Sequence, residues 1–509
     1  MTERIAIIDL GSNSARLIVM HVYKSSSYNL VYHQKEAVRL SQGLDSQMLL
    51  QPAAMERALT ALQTFARMCG LFGVDQILAV ATAAVRSARN GAAFVDQVRR
   101  QTGIPLQIIT GEEEATLGYL GVVNTIDITD ALLFDLGGGS TELTLIKDRK
   151  PKEVVSLPFG AVTLTERFRT QNNPNEAQWN ELHTHILRSL GKLPWLKNIS
   201  LPLIGVGGTA RNLAKIDQRR KNYPTPKLHN YRMGAMAFDE IWKTLFKTDV
   251  SQRRKIPGLS SERADIILAG AAVVKCLLDA TRGDQFIISG CGVREGLFLR
   301  HYLTKRKMPA VLPDILAHSA HNILLFYNGQ FEHAVHVVKL VNSLFDGWQV
   351  LHNLEPRDKA LLSVAARLHD TGITINYYDH PRHSAYLIEN ARLFGLTHRE
   401  QMLTALVAGW HNGLSTKYVR NRGYMEFLDN ADWQKARKMA LLLALAESLD
   451  ATETQLIPTI QTEVLPDRAC LTLITAENID IEYAALQKQV KWFKKEFATE
   501  LAVAISRPV

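Results

Sequence analysis

The sequence predicts two similar α/β halves, then an all-α region, then a short α+β tail. Three observations predict this. An apolar strand that ends in Asp and a small-residue turn occurs twice, strand and helix periodicities alternate through the first half, and helical spacing takes over after residue 313. The length of 509 residues leaves room for several cores, and 46% apolar with 21% charged residues is an ordinary globular composition. A disordered, collagen-like or low-complexity chain is excluded.

The elements follow in order. IAIID (5–9), LGSNS (10–14) and ARLIVMHVY (15–23) read as strand, small-residue turn and β-branched return strand. Helical spacing runs from Pro52 to Phe72, QILAVAT is strand-like, and a helix is predicted from Ala92 to Gln101. The strand PLQIIT and a helix beginning in GEEEATLGYLG complete this half. The pattern recurs in ALLFDLGGGSTELTLIK (131–147), and LPLIGVGGTARNLA (201–214) and QFIISGCGVREGLFL (285–299) follow. The basic, proline-containing TKRKMPAVLP (304–313) marks a boundary. Beyond it, KALLSVAARLHD and REQMLTALVAGWH have helical spacing to about Glu453. Short strands return in TEVLPDRACLTLIT, and the tail closes with a helix from about Ile481 bearing Lys488, Lys491, Lys494 and Lys495. The predicted divisions are 1–125, 126–305, 306–455 and 456–509.

The start MTERIAIIDL lacks the basic, long-apolar, small-residue order of a signal peptide. The apolar stretches Ile266 to Ala280 and Met439 to Leu449 are shorter than the ~20 residues of a spanning helix. Cys69, Cys276, Cys291 and Cys470 form no metal or disulfide spacing. A cytoplasmic location with reduced thiols is expected.

Lys and Arg number 59 against 50 Asp and Glu, a formal charge of +9. The surplus concentrates between Arg211 and Lys255, where ten further basic residues face four acids, including Asp217 and Asp249. Such a run is either a solvated helical face or a surface that draws a polyanion.

Asp9-Leu10-Gly11-Ser12-Asn13-Ser14 and Asp135-Leu136-Gly137-Gly138-Gly139-Ser140-Thr141-Glu142 share one physical logic. Each Asp ends a strand, and each turn offers N–H groups and hydroxyls to an anion. Two such turns facing one another hold a phosphate from both sides, while Asp9, Asp135 and Glu142 can hold a hydrated Mg²⁺. No Gly-Lys-Ser/Thr opens a helix, so neither is a Walker loop. A lone turn of this kind would simply be a tight hairpin.

These motifs, together with TAAVRSARN (82–90), TGEEEATLGYLG (110–121), GVGGTARNLA (205–214), PGLSSERADIILAG (257–270) and SGCGVREGL (289–297), resemble the exopolyphosphatase and guanosine pentaphosphate phosphohydrolase family. The resemblance implies duplicated lobes of the actin-like, ribonuclease H-like fold, followed by an all-α HD-type domain and a small α+β C-terminal appendage. It implies that Glu114 is the catalytic base, although Glu112 and Glu113 are its neighbours and an acidic helix N-terminus is also favourable by itself. Arg16 and Arg86 would clamp phosphate with their planar guanidinium forks, or pair between lobes. Gly207, Gly208 and Thr209 would form a third anion-contacting turn, or a close-packed glycine turn. Arg294 and Glu295 match a family signature and receive no catalytic role.

In the helical region the order His336, His369-Asp370, His383, His411, Asp450 resembles metal-dependent HD phosphohydrolases, implying a second divalent site or an inherited scaffold. The expected activity is metal-dependent, processive removal of terminal phosphate from inorganic polyphosphate, with Mg²⁺ or Mn²⁺. Guanosine pentaphosphate or tetraphosphate is the alternative substrate. A further alternative is a polyphosphate- or alarmone-binding protein with separate HD metal chemistry. A sugar kinase would need an adenosine pocket that no motif supplies. A homodimer is implied, and neither membrane nor nucleic acid is expected as a partner.

Overall fold

The computed structural model describes residues 2–44, 48–197, 199–327, 330–414 and 423–507. They divide into two units, one of residues 2–24 and 28–313, the other of 25–27 and 314–507.

The first unit holds two sheets built on one plan. β1 (Glu3–Leu10), β2 (Ser14–Val22) and β3 (Tyr28–Ala37) form an antiparallel meander, and β1 pairs in parallel with β4 (Gln76–Ala81), which pairs with β5 (Leu106–Ile108). β6 (Ala131–Leu136), β7 (Thr141–Lys147) and β8 (Lys150–Leu157) repeat the meander. β6 pairs in parallel with β9 (Leu203–Val206), then come β11 (Gln285–Ile288) and, antiparallel at the edge, β10 (Tyr231–Gly234). Ile5 to Ile8 are buried on both faces, which is why this central strand reads as a continuous apolar run. The duplication seen in the sequence is thus a duplication of topology.

Two helices are exchanged between the sheets. The helix Gly111–Val123, capped by the Thr110 side chain accepting from Glu113 N–H at 3.1 Å, follows β5 yet packs Tyr119, Val122 and Val123 on Leu133, Ile146 and Ile204 of the second sheet. The helix Val293–Lys305 follows β11 yet packs Leu297 and Phe298 on Ile5, Ile7 and Ile18 of the first. Where they cross, a Cβ on Gly121 would lie 2.3 Å from Gly292 O, and one on Gly296 1.9 Å from Leu117 O. Only glycine permits this approach.

In the second unit, the helices Phe331–Gly347, Pro356–Leu368, His398–Gly409 and Asn430–Ser448 share one core around Trp348, Leu362, Leu406 and Leu443. The tail forms β12 (Thr459–Val464), β13 (Arg468–Ile474) and β14 (Glu500–Ser506), with the helix Asp480–Phe497 between the last two. Leu471, Leu473, Leu486 and Phe493 belong to that same core, so the tail is an integral layer of this unit. β14, parallel to β13, was not anticipated. Among the described residues no helix is long and apolar enough to cross a membrane.

Candidate functional site

Both Gly/hydroxyl turns close with the same hydrogen bond, Gly11 N–H to Ser14 O at 3.1 Å and Gly137 N–H to Ser140 O at 3.0 Å. Strand pairing then sets Asp9 opposite Arg16 and Asp135 opposite Glu142. The turns face each other at contact distance. A Cβ on Gly138 would lie 3.2 Å from Ser12 Cβ, and one on Gly139 2.8 Å from Ser12 Oγ. Gly207, at φ +100°, brings a third turn so close that a Cβ would lie 2.5 Å from Leu136 O.

The three turns enclose a cavity of about 90 Å³. Of the sequence-predicted residues, Asp9, Gly11, Ser12, Asn13, Ser14, Arg16, Glu114, Asp135, Gly137, Gly138, Ser140, Gly207 and Gly208 line it. Arg86 reaches it through Glu114, donating from Nη1 to Oε2 at 2.8 Å and to Ile109 O at 3.1 Å. Glu142 is buried and accepts from Ser156 Oγ at 2.8 Å. Gly139 contributes the close approach to Ser12 and does not line the cavity.

Thr141 and Thr209 do not reach the cavity. Thr141 Oγ1 donates to Phe159 O at 2.7 Å, and Thr209 packs against Gly270, whose Cβ would lie 2.5 Å from Thr209 Oγ1. Each sits just inside a regular strand or helix, which fixes its side-chain direction away from the turn. The sequence reading also missed three arginines. Arg211, Arg263 and Arg294 line the cavity beside Arg16, and Glu295 joins them. A Cβ on Gly208 would overlap the Arg263 guanidinium at 2.0 Å. The available signal was an Arg two or three residues after a glycine turn, as in GGTAR and CGVR.

The electrostatics set crowded arginines beside buried carboxylates. Burial, then repulsion from neighbouring arginines, lowers Arg211 to about 9 and Arg263 to about 10. Arg16 is lowered for the same reasons. Burial raises Asp9, raises Asp135 to about 6 with help from Asp9, and raises Glu114 to about 7 against the opposing pull of Arg86. Glu142 is pushed well up by burial and by Glu114. Among the described residues, the cavity's carboxylate oxygens do not converge in a group of three. The donors the cavity offers are all oxygens, a set that fits a hard divalent cation such as Mg²⁺ or Mn²⁺.

The basic run is partly internal. Arg253 is fully buried, and donates to Leu245 O at 3.2 Å, Gln171 O at 3.1 Å and Asn172 O at 3.4 Å. Lys221 pairs with Asp217 at 2.8 Å and Arg220 with Glu240 at 2.5 Å. Lys215 and Arg219 border a separate hollow with Tyr223 and Ser260.

In the second unit, imidazoles and carboxylates gather in two groups sharing Asp370: His333, His369, Asp370 and Glu447, and Asp370, His380 and His411. His369, Asp370 and His411 are among the residues expected there. His336 and His383 are not in either group; His333 and His380, each three residues earlier on the same helix, stand in their places. Residues three apart share a helical face but sit a turn's rise apart, so only one of each pair reaches the cluster. Asp450 is likewise outside, accepting from His333 Nδ1 at 2.9 Å, while Glu447, one turn earlier, takes the inner position.

The sequence model of the Ppx/GppA phosphatase family matches residues 17–305, and that of Ppx/GppA phosphatase domain III matches residues 315–489. Among solved structures, a Ppx/GppA family member from Aquifex aeolicus is 29% identical, with the match covering 60% of this chain and 99% of that one at a TM-score of 0.53. An exopolyphosphatase from Cytophaga hutchinsonii is 24% identical, covering 61% and 100%, at a TM-score of 0.56. The second likeness speaks for the fold.

Proposed function

Because the chain belongs to the Ppx/GppA phosphatase family, we propose that it hydrolyses the terminal phosphoanhydride bond of inorganic polyphosphate and releases orthophosphate. One observation carries this reading: Arg16, Arg211, Arg263 and Arg294 crowd a cavity of about 90 Å³ that also holds Asp9, Asp135 and Glu114. That space is far below the roughly 300–1,000 Å³ of pockets that enclose a drug-sized molecule. It suits one phosphoryl group, with the rest of the substrate outside.

Each residue then has a task. The N–H groups of the three turns and the hydroxyls of Ser12, Ser14 and Ser140 orient the terminal phosphoryl group, and the arginines offset its charge, more of it as the transition state develops. Arg86 holds Glu114 Oε2, leaving Oε1 to take a proton from water. The water oxygen bonds to the terminal phosphorus, the bridging P–O bond breaks, and the shortened chain leaves with the electron pair. Asp9 and Asp135, which line the cavity, would hold a hydrated divalent cation, with Glu142 acting through water, and that cation would neutralise phosphoryl charge when bound.

The test is phosphate release with Mg²⁺ from long-chain polyphosphate and from guanosine pentaphosphate, for the wild type and Glu114→Gln. Release mainly from polyphosphate, lost in the variant, is expected. Release mainly from guanosine pentaphosphate would move the reading to the nucleotide, and undiminished release in Glu114→Gln would remove the base from this site.

A further inference from the structure

A fourth segment, Ser289 to Glu295, borders the cavity beside the three turns, and its first four N–H groups are already committed. Ser289 N–H donates to Gly205 O at 2.9 Å, Cys291 N–H to Ser289 Oγ at 3.1 Å and Gly292 N–H to Glu295 Oε2 at 2.9 Å. Gly290 N–H donates to the ring of His229, 3.2 Å from Nδ1. What this segment brings to a phosphate is therefore the Arg294 guanidinium, at the start of the helix Val293–Lys305.

Strand register brings His229 there. β10 and β11 pair antiparallel with Tyr231 opposite Ile288, and Asn230 N–H donates to Ile288 O at 2.8 Å, so the same register carried two residues further sets His229 opposite Gly290. At that step the imidazole takes the place of a backbone acceptor. The approach is close: a Cβ on Gly290 would lie 3.1 Å from His229 Cβ. Accepting from Gly290 requires the lone pair on Nδ1, so the proton sits on Nε2, which faces Thr125 O at 3.1 Å. One neutral tautomer satisfies both contacts.

Thr125 is buried just beyond the helix Gly111–Val123, whose first turn carries Glu114. One ring thus ties the end of the helix that presents Glu114 to the segment that presents Arg294. These are the two exchanged helices, and they meet where Gly121 lies against Gly292. A helix is stiff along its axis, so a shift at Thr125 is carried to Glu114, and a shift at Gly290 reaches Arg294 four residues on.

We propose that His229 is a positioning residue for phosphoryl transfer: through Gly290 and Thr125 it sets the place of Arg294 relative to Glu114, and it touches neither the phosphate nor the attacking water. The inference rests on the hydrolysis assigned to the cavity, since Glu114 and Arg294 act there on opposite parts of one reaction, the water and the phosphoryl oxygens. Such a pair works only when both members are held to a fraction of an ångström by groups outside the reaction. The imidazole suits the task because it offers an acceptor and a donor on one rigid ring, to Gly290 N–H and Thr125 O respectively.

The test compares three variants of the full chain. His229→Leu removes both contacts, and kcat for polyphosphate should fall by about 10- to 100-fold. His229→Asn places Oδ1 where Nδ1 stood, keeps the acceptor for Gly290 N–H, and should return kcat to within about threefold of wild type. His229→Gln puts its amide at the Nε2 position, keeps the donor for Thr125 O but not the Gly290 contact, and should stay close to His229→Leu. Thermal melts run beside the kinetics, because a tie that only stabilises the fold would lower Tm and leave the kcat of folded protein unchanged. That result overturns the proposal, as does His229→Asn performing no better than His229→Gln. If His229→Leu does not fold, the Asn and Gln variants decide alone. Wild-type protein that releases no phosphate from polyphosphate would fail the functional reading instead. Calorimetry with inorganic phosphate then judges His229 separately: affinity should drop about two- to tenfold in His229→Gln and hold in His229→Asn, and equal affinities in the two would overturn the role.

Discussion

Arg86 donates to Glu114 at 2.8 Å from a different helix, 28 positions earlier in the chain. The pair opposes two influences on one carboxylate. Burial favours the neutral acid, and the guanidinium favours the anion that can accept a proton.

Replacing Glu114 by Gln preserves shape and removes proton acceptance. The expected loss in kcat is about 10²- to 10⁴-fold, with polyphosphate binding, measured by calorimetry, retained.

The pH profile follows from the same pair. Glu114 sits at about 7, and only the deprotonated form accepts a proton, so kcat/KM should rise with pH and level off above that value. Arg86 lowers this pKa, so Arg86→Met should shift the rising limb to higher pH. A limb that does not move in Arg86→Met would dissociate the titration from Glu114.

The crowded arginines predict a trade between stability and binding. Arg211 is buried among Arg16, Arg294 and Arg263, and its charged form is disfavoured by burial and then by them. Without ligand, Arg211→Met should raise Tm. Phosphate should stabilise the wild type, by about 2.7 kcal/mol at one hundred times its Kd, and should stabilise the variant less. Thermal melts across a phosphate series measure both.

The helix crossing offers a paired test. Gly296→Ala drives a methyl to 1.9 Å from Leu117 O and should cost about 1–3 kcal/mol in urea denaturation. Gly118→Ala, in the same helix pair with no atom within 4 Å of the new Cβ, should be neutral or stabilising by up to about 1 kcal/mol.

What was legible in the sequence was what is local. Asp9 with Gly11 to Ser14, and Asp135 with Gly137 to Ser140, occupy single strand-turn-strand segments, so their spacing gives their geometry. Arg211, Arg263 and Arg294 come from three separate segments, and only the folded chain brings them together. His333 against His336, and His380 against His383, are choices between neighbours on one helical face, decided by which turn of the helix meets the other ligands. β3 escapes the sequence because it is an edge strand with many exposed polar residues, and β14 because its apolar run, Leu501 to Ile505, follows the helix Asp480–Phe497 after only Ala498 and Thr499.

The exchange of the helices Gly111–Val123 and Val293–Lys305 makes the repeat indivisible. A chain cut at 125/126 would leave the second sheet without the cover of Tyr119, Val122 and Val123, and the first without Leu297 and Phe298. Neither half covers its own sheet with its own helix, so the packing of each depends on the other.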